Sequence, residues 1–312
     1  MAGEMASRVT VLGGDGFIGR YVVQALLRGG AMVTVASRNP KRGWLLKTQA
    51  NLGQIAYAVA DVTKPETLAR AVMDADAVIN LVGSFANMDA VQSGGAASVV
   101  RAAAEAGVKT LVHVSAIGAD QASPSRYGRS KGDGEAAVCT AFPGATIMRP
   151  SLVFGREDAL VNRFAALIRM LPAVPVFSGG TKFQPVFVGD VARAVVAALF
   201  DPAARGTTYE LGGPETLSML ALNQRIAAAS GRAGKLFVEM PDIAGAAMAK
   251  LTGWLPGAPM TWDQWLMLQN DNVVAEGSKG LAALGVAATP LETVMQGWLV
   301  IYRKHGRFGA KA

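Results

Sequence analysis

One stretch decides the fold of this chain: RVTVLGGDGFIG, residues 8–19. Its first five residues are a mostly apolar, β-branched run, which predicts a short buried strand. A glycine-rich turn follows at once and opens a helical pattern. Gly13 permits the tight turn, Gly16 lets the backbone approach a ligand, and Gly19 lets the helix pack closely on the sheet. This arrangement predicts a site for the pyrophosphate of a dinucleotide.

The backbone N–H groups of this turn and the positive end of the helix are expected to face the phosphates. Glycines at this spacing also occur in ordinary turns, and the chain contains 36 glycines. The position between a strand and a helix, near the beginning of the sequence, favours the dinucleotide interpretation. The predicted cofactor contacts here are Gly13, Gly14, Asp15, Gly16, Phe17 and Ile18.

The end of the second predicted strand distinguishes between the two pyridine dinucleotides. NAD-binding proteins place Asp or Glu there to bind the ribose 2′-hydroxyl. Here the residues are Ser37 and Arg38, with Lys41 and Arg42 close behind. A hydroxyl and a guanidinium suit a 2′-phosphate, because Arg binds phosphate oxygens bidentately. The alternative is that Arg38 is an exposed loop cation. The sequence favours NADP(H).

Strands alternate with helices as far as Pro150. Strands are predicted at 8–12, 32–37, 55–59, 77–82, 110–115 and 146–150, and helices at 17–28, 65–73, 95–106 and 130–141. This alternation predicts an α/β fold with a doubly wound parallel sheet, the Rossmann fold. The pattern loosens afterwards and predicts a smaller, mostly helical C-terminal portion. The predicted dinucleotide-binding domain is 1–155 with 183–213 returning to it, and the smaller portion is 156–182 and 214–312.

Two further strand ends supply cofactor contacts in this prediction. Asp61, followed by Val62, comes directly after the third strand and is placed to meet the adenine amino group. Leu81, Val82 and Gly83 follow Asn80 at the end of the fourth strand and are expected to pass beneath the adenine-side ribose.

A candidate reaction centre follows the fifth strand. Ser115 ends that strand, and Tyr127 and Lys131 are four residues apart, which places them on one face of a helix. A nearby ammonium and the positive charge of the cofactor are expected to favour phenolate, so Tyr127 could act as acid and base well below its ordinary pKa of ~10. Ser115 could hold a substrate oxygen. A Tyr and a Lys four residues apart also occur by chance.

These residues resemble the short-chain dehydrogenase/reductase superfamily, in its extended or atypical branch. The resemblance covers about the first 215 residues and implies a catalytic trio of Ser115, Tyr127 and Lys131, of which Tyr127 and Lys131 also contact the cofactor. It implies that Pro150 and Ser151 border the nicotinamide. The matching segments are residues 13–19, Asp61, residues 80–83, Ser115, Tyr127 with Lys131, and residues 149–151.

A narrower resemblance covers nearly the whole chain. Residues 123–127, 149–158, 183–192, 209–214 and 298–308 are similar to the NADPH-binding accessory subunit family of respiratory complex I and its α-proteobacterial relatives. This resemblance implies a bound NADPH that supports structure and is not part of the main electron path. Such a subunit needs no catalysis, yet Ser115, Tyr127 and Lys131 are all present, which keeps an enzymatic role open.

Composition excludes several other classes. The single cysteine, Cys139, rules out an intrachain disulfide, and with only two histidines no metal site is predicted. Apolar residues make up 51% of the chain, so it can bury a core. No apolar stretch is long enough to span a membrane, and no signal peptide is recognised. The formal net charge of +7 lacks the basic runs typical of nucleic-acid binding.

The C-terminal region combines aromatic and basic side chains, which are typical of protein interfaces, although such tryptophans also form cores. This composition favours a docked subunit, and the resemblance to complex I accessory subunits implies partners in a membrane-bound respiratory complex, with a peripheral location expected on the cytoplasmic side of the inner membrane. A chain ending at Gln296 is expected to fold and to leave the membrane. The alternatives are a free, cytoplasmic NADPH-dependent reductase or epimerase, with an unknown substrate, and an NADP(H) redox sensor. The aromatic and basic residues concerned are Trp262, Trp265, Trp298, Tyr302, Arg303, Lys304 and Arg307.

Overall fold

The computed structural model describes residues 7–255, 258, 260–304 and 306. The positions of His305, Arg307 and Phe308 in the predicted basic tail lie outside the described residues. Within the described part of the chain, no helix is long and apolar enough to cross a membrane.

The described residues form thirteen strands and ten α-helices. The strands are β1 (Arg8–Leu12), β2 (Met32–Ser37), β3 (Ile55–Val59), β4 (Ala77–Asn80), β5 (Thr110–Val114), β6 (Thr146–Pro150), β7 (Val153–Phe154), β8 (Ala173–Phe177), β9 (Lys182–Phe183), β10 (Val186–Phe187), β11 (Thr208–Leu211), β12 (Leu217–Ser218) and β13 (Leu236–Met240). The helices are α1 (Phe17–Arg28), α2 (Pro65–Val72), α3 (Gly95–Glu105), α4 (Arg126–Ala141), α5 (Leu160–Met170), α6 (Val188–Phe200), α7 (Met219–Ala229), α8 (Asp242–Thr252), α9 (Trp262–Met267) and α10 (Leu291–Leu299).

The first packing unit is built on a seven-stranded sheet in the order β11-β6-β5-β4-β1-β2-β3, in which every pairing is parallel. Helices α1 and α6 pack together, and α2, α3 and α4 pack side by side. Strands β4 and β5 are buried along their whole length, as expected of a sheet covered on both faces. The predicted doubly wound Rossmann fold is confirmed.

The second packing unit has its own apolar core and three two-stranded sheets, β10 with β7, β12 with β9 and β13 with β8. It comprises Ser151–Phe187, Gly212–Ala275 and the described residues after Ala287. The first unit comprises the described residues up to Pro150, Val188–Leu211 and Glu276–Ala287. The domain division predicted from the sequence stays a prediction. The packing units differ from it because residues 276–287, which were predicted to belong to the smaller portion, pack with the seven-stranded sheet.

The C-terminal tryptophans differ in burial, since Trp298 lies in a core whereas Trp262 and Trp265 are half-buried. Trp298 and Leu299 lie in the apolar core of the second unit, with 7% and 0% of their surface exposed. Trp262 and Trp265 stack with ring centroids 4.8 Å apart, and the Lys250 ammonium lies 4.6 Å from the Trp262 ring. Trp298 is therefore a core residue, and its burial argues against the expectation that a chain ending at Gln296 folds, because that chain lacks part of this core.

Candidate functional site

The glycine turn between β1 and α1 is a close-packed piece of backbone. Gly13 has a φ of +77°, a conformation that favours glycine, and its N–H donates to the carbonyl of Ala36 at 2.8 Å. A Cβ atom at Gly19 would lie 2.2 Å from the Gly13 carbonyl oxygen and 2.7 Å from the Gly14 Cα. The turn and the first turn of α1 can approach each other this closely only because position 19 has no side chain.

The beginning of α1 leaves room for an anion. Gly16 is the N-cap residue, and within the described residues no side chain caps the helix. A Cβ at Gly16 would meet only the Gly13 carbonyl oxygen, at 3.1 Å. The first N–H groups of a helix have no intrahelical partner and carry partial positive charge. The glycine turn contains Gly14 and Asp15, and the first turn of α1 contains Phe17 and Ile18. The local geometry of these residues fits a pyrophosphate.

The C-terminal end of β2 places a hydroxyl and a cation next to each other. The Ser37 Oγ is buried and has no hydrogen-bond partner among the described residues. Arg38 is exposed. A buried hydroxyl without a partner is rare in folded proteins, and a bound ligand oxygen is one way to satisfy it. Ser37 and Arg38 thus fit the 2′-phosphate of NADP(H).

Asp61 follows β3 close to these residues. Its carboxylate accepts hydrogen bonds from the Thr63 N–H at 3.0 Å and from the Thr63 hydroxyl at 2.8 Å. These two bonds, followed by the charges of Lys64 and Arg38, hold the pKa of Asp61 below its ordinary value. The side chain of Val62 is buried against the start of α3, where a Cβ at Gly95 would lie 2.7 Å from it.

Arg42 was not predicted as a cofactor contact from the sequence. Its guanidinium Nε lies 3.9 Å from the carboxylate of Asp15, which belongs to the glycine turn. Residue 42 is 27 positions away, so only the tertiary structure reveals the pair. The guanidinium partly neutralises the one carboxylate that stands in the predicted pyrophosphate turn, which favours an anionic ligand there.

The end of β4 is fixed by a buried polar network. The side-chain amide of Asn80 donates to His113 Nδ1 at 3.1 Å, and its oxygen accepts from the Val82 N–H at 3.1 Å. Burial and the charge of Lys131 lower the pKa of His113 to about 3, so its imidazole is neutral and accepts this bond. Leu81 and Gly83 are held on the same turn, and Leu81 borders Gly13.

Lys131 and Ser115 come together at the end of β5. The Lys131 ammonium donates to the carbonyl of Val114 at 3.2 Å, and a Cβ at Gly83 would lie 3.5 Å from Lys131 Nζ. Burial lowers the pKa of Lys131 to about 8. The Ser115 Oγ is buried and has no partner within the described part of the chain.

Tyr127 lies on the first turn of α4, which begins four residues earlier than the sequence indicated because the Ser125 hydroxyl caps it by accepting from the Gly128 N–H at 2.9 Å. Tyr127 and Lys131 therefore share one helix. Burial raises the pKa of Tyr127 to about 12. Burial therefore disfavours the phenolate, and the expectation of a readily formed phenolate, which relies on the Lys131 ammonium and the cofactor's positive charge, stays a prediction.

Phe85 is a further aromatic residue of this site that sequence reasoning missed. Its ring stacks on that of Tyr127, with centroids 4.8 Å apart and an interplanar angle of 18°. Other side chains near it are engaged within the protein. Asp89 is paired with Arg126 at 2.7 Å, and the Gln92 amide donates to the Ser84 carbonyl at 2.7 Å.

The predicted nicotinamide neighbours belong to different packing units. Pro150 ends β6 in the first unit, and Ser151 begins the second. The Ser151 hydroxyl lies 2.7 Å from the Asn272 side-chain oxygen and 2.8 Å from the Asn272 carbonyl. Asn272 was not predicted from the sequence, because it is 121 residues away from Ser151. In the structure Ser151 therefore has a structural partner.

The described side chains include no cluster of three or more histidine, cysteine, aspartate or glutamate residues that could hold a metal ion. The groups available for a ligand are instead backbone N–H groups, hydroxyls and cations. They fit a pyridine dinucleotide with its adenosine end near Arg38 and its reactive end near Lys131.

The chain is similar to known proteins over most of its length. A family model described as NAD(P)H-binding matches residues 13–141. The mitochondrial NADH dehydrogenase (ubiquinone) 1 alpha subcomplex subunit 9 of Arabidopsis thaliana is 34% identical, over 96% of this chain and 79% of the relative. The protein of the same name from Mus musculus is 36% identical, over 91% of this chain and 77% of the relative.

A solved structure supports the fold. The NADPH-dependent quinone oxidoreductase of Escherichia coli, crystallised with NADPH, aligns with a TM-score of 0.75 at 20% identity, over 93% of this chain and 99% of the other. The predicted NAD(P)H-binding Rossmann domain is confirmed by the family model and by this architecture.

Proposed function

Because this chain belongs to the family of NADH dehydrogenase (ubiquinone) 1 alpha subcomplex subunit 9, we propose that it is an NADP(H)-binding accessory subunit of a membrane-bound NADH:quinone oxidoreductase. The resemblance to complex I accessory subunits that the sequence indicated is confirmed. The observation that carries the proposal is the 34% identity along 96% of the chain, which includes both packing units.

The cofactor in this proposal is NADP(H) rather than NAD(H). Ser37 offers a buried hydroxyl without a protein partner in the described residues, and Arg38 offers a guanidinium at the same strand end. Both suit a phosphate and neither is the acid that NAD-binding proteins use. Asp61 would face the adenine, and the turn from Gly13 to Ile18 would hold the pyrophosphate.

The bound cofactor would support structure. A ligand that binds only the folded state stabilises it by mass action, so the dinucleotide can be retained without turnover. NADPH supplies a hydride donor when bound, and in an accessory role that donor is not used in the main electron path. Leu81, Val82 and Gly83 would lie beneath the ribose, held by Asn80.

We expect Arg38→Ala to weaken NADPH binding by about tenfold or more, because a charge-assisted contact to phosphate is lost. NADH binding should stay nearly unchanged, since NADH has no 2′-phosphate. Titration of intrinsic or nicotinamide fluorescence measures both affinities. Arg101→Ala, which removes an exposed arginine on α3, is the matched control. Tighter binding of NADH than of NADPH by the unmodified protein would show that the assignment is wrong.

The docking role predicts where the native protein is found. At natural abundance it should sediment with membranes, in a large assembly that contains NADH:quinone oxidoreductase subunits. Native electrophoresis of detergent-solubilised membranes, followed by mass spectrometry, makes this measurement. Peripheral attachment on the cytoplasmic side of the inner membrane is the corresponding location. A free monomer or small homo-oligomer in the cytosol would contradict the proposal.

A free NADPH-dependent reductase or epimerase is the second candidate, favoured by the proximity of Ser115 and Lys131 at the end of β5. In that reaction Ser115 would hold a substrate oxygen and Tyr127 would donate a proton from its hydroxyl. With a pKa raised to about 12, Tyr127 is protonated at neutral pH and can donate but not readily accept. A redox sensor using the same cofactor site is a third, weaker candidate.

A further inference from the structure

The two edge strands of the seven-stranded sheet, β11 and β3, differ in whether another segment of the chain covers them. At one edge lies β11, and a segment of the same unit covers it: the Glu210 N–H donates to the Lys279 carbonyl at 2.9 Å. A Cβ at Gly280 would lie 3.3 Å from the Glu210 carbonyl oxygen, so this segment sits directly on the strand. The sheet therefore has a closed edge at β11.

The opposite edge, β3, is open. The Val33 N–H donates to the Gln54 carbonyl at 2.8 Å, and the Ala60 N–H donates to the Ser37 carbonyl at 3.0 Å. In a parallel ladder the residues that bond to one neighbour alternate with those that face the other way. The backbone groups of Ile55, Tyr57 and Val59 consequently point away from β2. No residue in the described part of the chain bonds to them.

This open edge lacks the features that usually protect one. Natural edge strands carry lysine, proline or a bulge that discourages pairing with another chain. Here the strand is IAYAV, and its five residues pair with β2 in continuous register, without a bulge. Val59 is 62% exposed. The strand is thus an uncharged, regular template for another strand.

The segment before β3 adds a basic and apolar surface. Residues 38–60 contain Arg38, Lys41, Arg42 and Lys47 and no acidic residue. Trp44 and Leu45, 56% and 72% exposed, stand among these cations. The segment is fixed to the strand because the Tyr57 hydroxyl donates to the Gly43 carbonyl at 3.2 Å.

We propose that the open β3 edge, together with residues 40–54, docks an extended, acidic segment of a partner protein, which adds a strand to the sheet. A polypeptide satisfies the outward N–H and C=O groups, as in β-strand addition, whereas lipid tails cannot. Carboxylates of the segment match Lys41 and Lys47, because Arg38 is the predicted partner of the 2′-phosphate and Arg42 pairs with Asp15. A second copy of this chain fits poorly, because two such edges would bring like charges together. The inference rests on the docking role proposed above and adds the surface and the partner's chemistry.

The test places a photoreactive benzoylphenylalanine at Leu45 in the full-length chain, expressed in its native host, and irradiates the membranes. We expect one adduct, formed with a partner segment that has more Asp and Glu than Lys and Arg. Val59→Pro removes one outward N–H and leaves the bonds to β2, so the adduct should fall about fivefold, as the loss of a backbone hydrogen bond predicts. Val59→Thr keeps the N–H and the branched shape and should match the unmodified chain.

A second measurement uses the unmodified chain, in case Val59→Pro perturbs folding. Amide hydrogen exchange of residues 55–59 should be slower in the assembly than in the isolated protein, while the exchange of the covered β11 strand should not change. In the cross-linking experiment, the inference is overturned by the absence of an adduct, or by an adduct with lipid only, with a second copy of the chain or with a non-acidic segment. In the exchange experiment, it is overturned if the exchange of residues 55–59 is the same in the assembly as in the isolated protein. If the adduct identifies an acidic segment of a protein that is not part of a respiratory complex, this inference is supported and the proposed function is contradicted.

Discussion

Gly19→Ala is expected to abolish NAD(P)H binding and to destabilise the first packing unit by about 3 kcal/mol or more. The added Cβ would lie 2.2 Å from the Gly13 carbonyl oxygen and 2.7 Å from the Gly14 Cα, both of which are backbone atoms that cannot rotate away. The turn must therefore open, and its N–H groups lose their alignment. Thermal unfolding with and without NADPH measures both effects.

Two other glycine-to-alanine variants serve as controls. At Gly144 a Cβ would meet only the Phe142 ring, at 3.8 Å, so Gly144→Ala should be nearly neutral for stability and binding. At Gly16 it would meet a single atom at 3.1 Å, so Gly16→Ala should fold. It should bind the dinucleotide weakly, because Gly16 is the predicted point of close approach to the pyrophosphate. If Gly19→Ala binds NADPH as tightly as the unmodified chain, the turn is not the phosphate site.

A chain ending at Gln296 is expected to lose the fold of the second unit. It lacks Trp298, Leu299 and Val300, which are all buried. Removing even one large core side chain costs about 2–5 kcal/mol, and whole domains are stable by only about 5–15 kcal/mol. It also lacks the Tyr302 hydroxyl, which donates to Asn162 at 3.1 Å. Limited proteolysis should cut within Ser151–Phe187 and Gly212–Ala275 much faster than in the full chain.

A chain ending at Lys304 is the control for this truncation, since it keeps α10, Trp298 and Tyr302. It should resist proteolysis as the full chain does. Loss of membrane association in that longer version would then report on docking rather than on folding. If the chain ending at Gln296 resists proteolysis as well as the control, the packing of Trp298 contributes less than its burial indicates.

The features that could be predicted from the sequence are those that depend on residues close together in the chain. Strand β1, the glycine turn and α1 lie within 21 consecutive residues, Arg8 to Arg28, and their boundaries agree with the prediction. The roles of Gly13 and Gly19 depend on local backbone conformation and close approach, which spacing alone exposes. Ser37 and Arg38 could be placed because a strand end has a known position in this fold.

Features that join distant residues could be found only in the tertiary structure. Asp15 pairs with Arg42, Phe85 stacks on Tyr127, and Asn272 holds Ser151. None leaves a periodic pattern in the sequence, because each depends on where the fold brings separate segments together.

Burial is likewise a property of the packed chain. It places Trp298 in the core rather than at a surface, and it raises the pKa of Tyr127 against the sign expected from the Lys131 charge. The same holds for the sheet edges: Lys279 covers β11, and nothing in the described chain covers β3. The sequence by itself determined the fold class and the dinucleotide turn, since short-range geometry sets both. Packing decided which side chains face solvent, which buried groups have shifted pKa values and which edge of the sheet stays open.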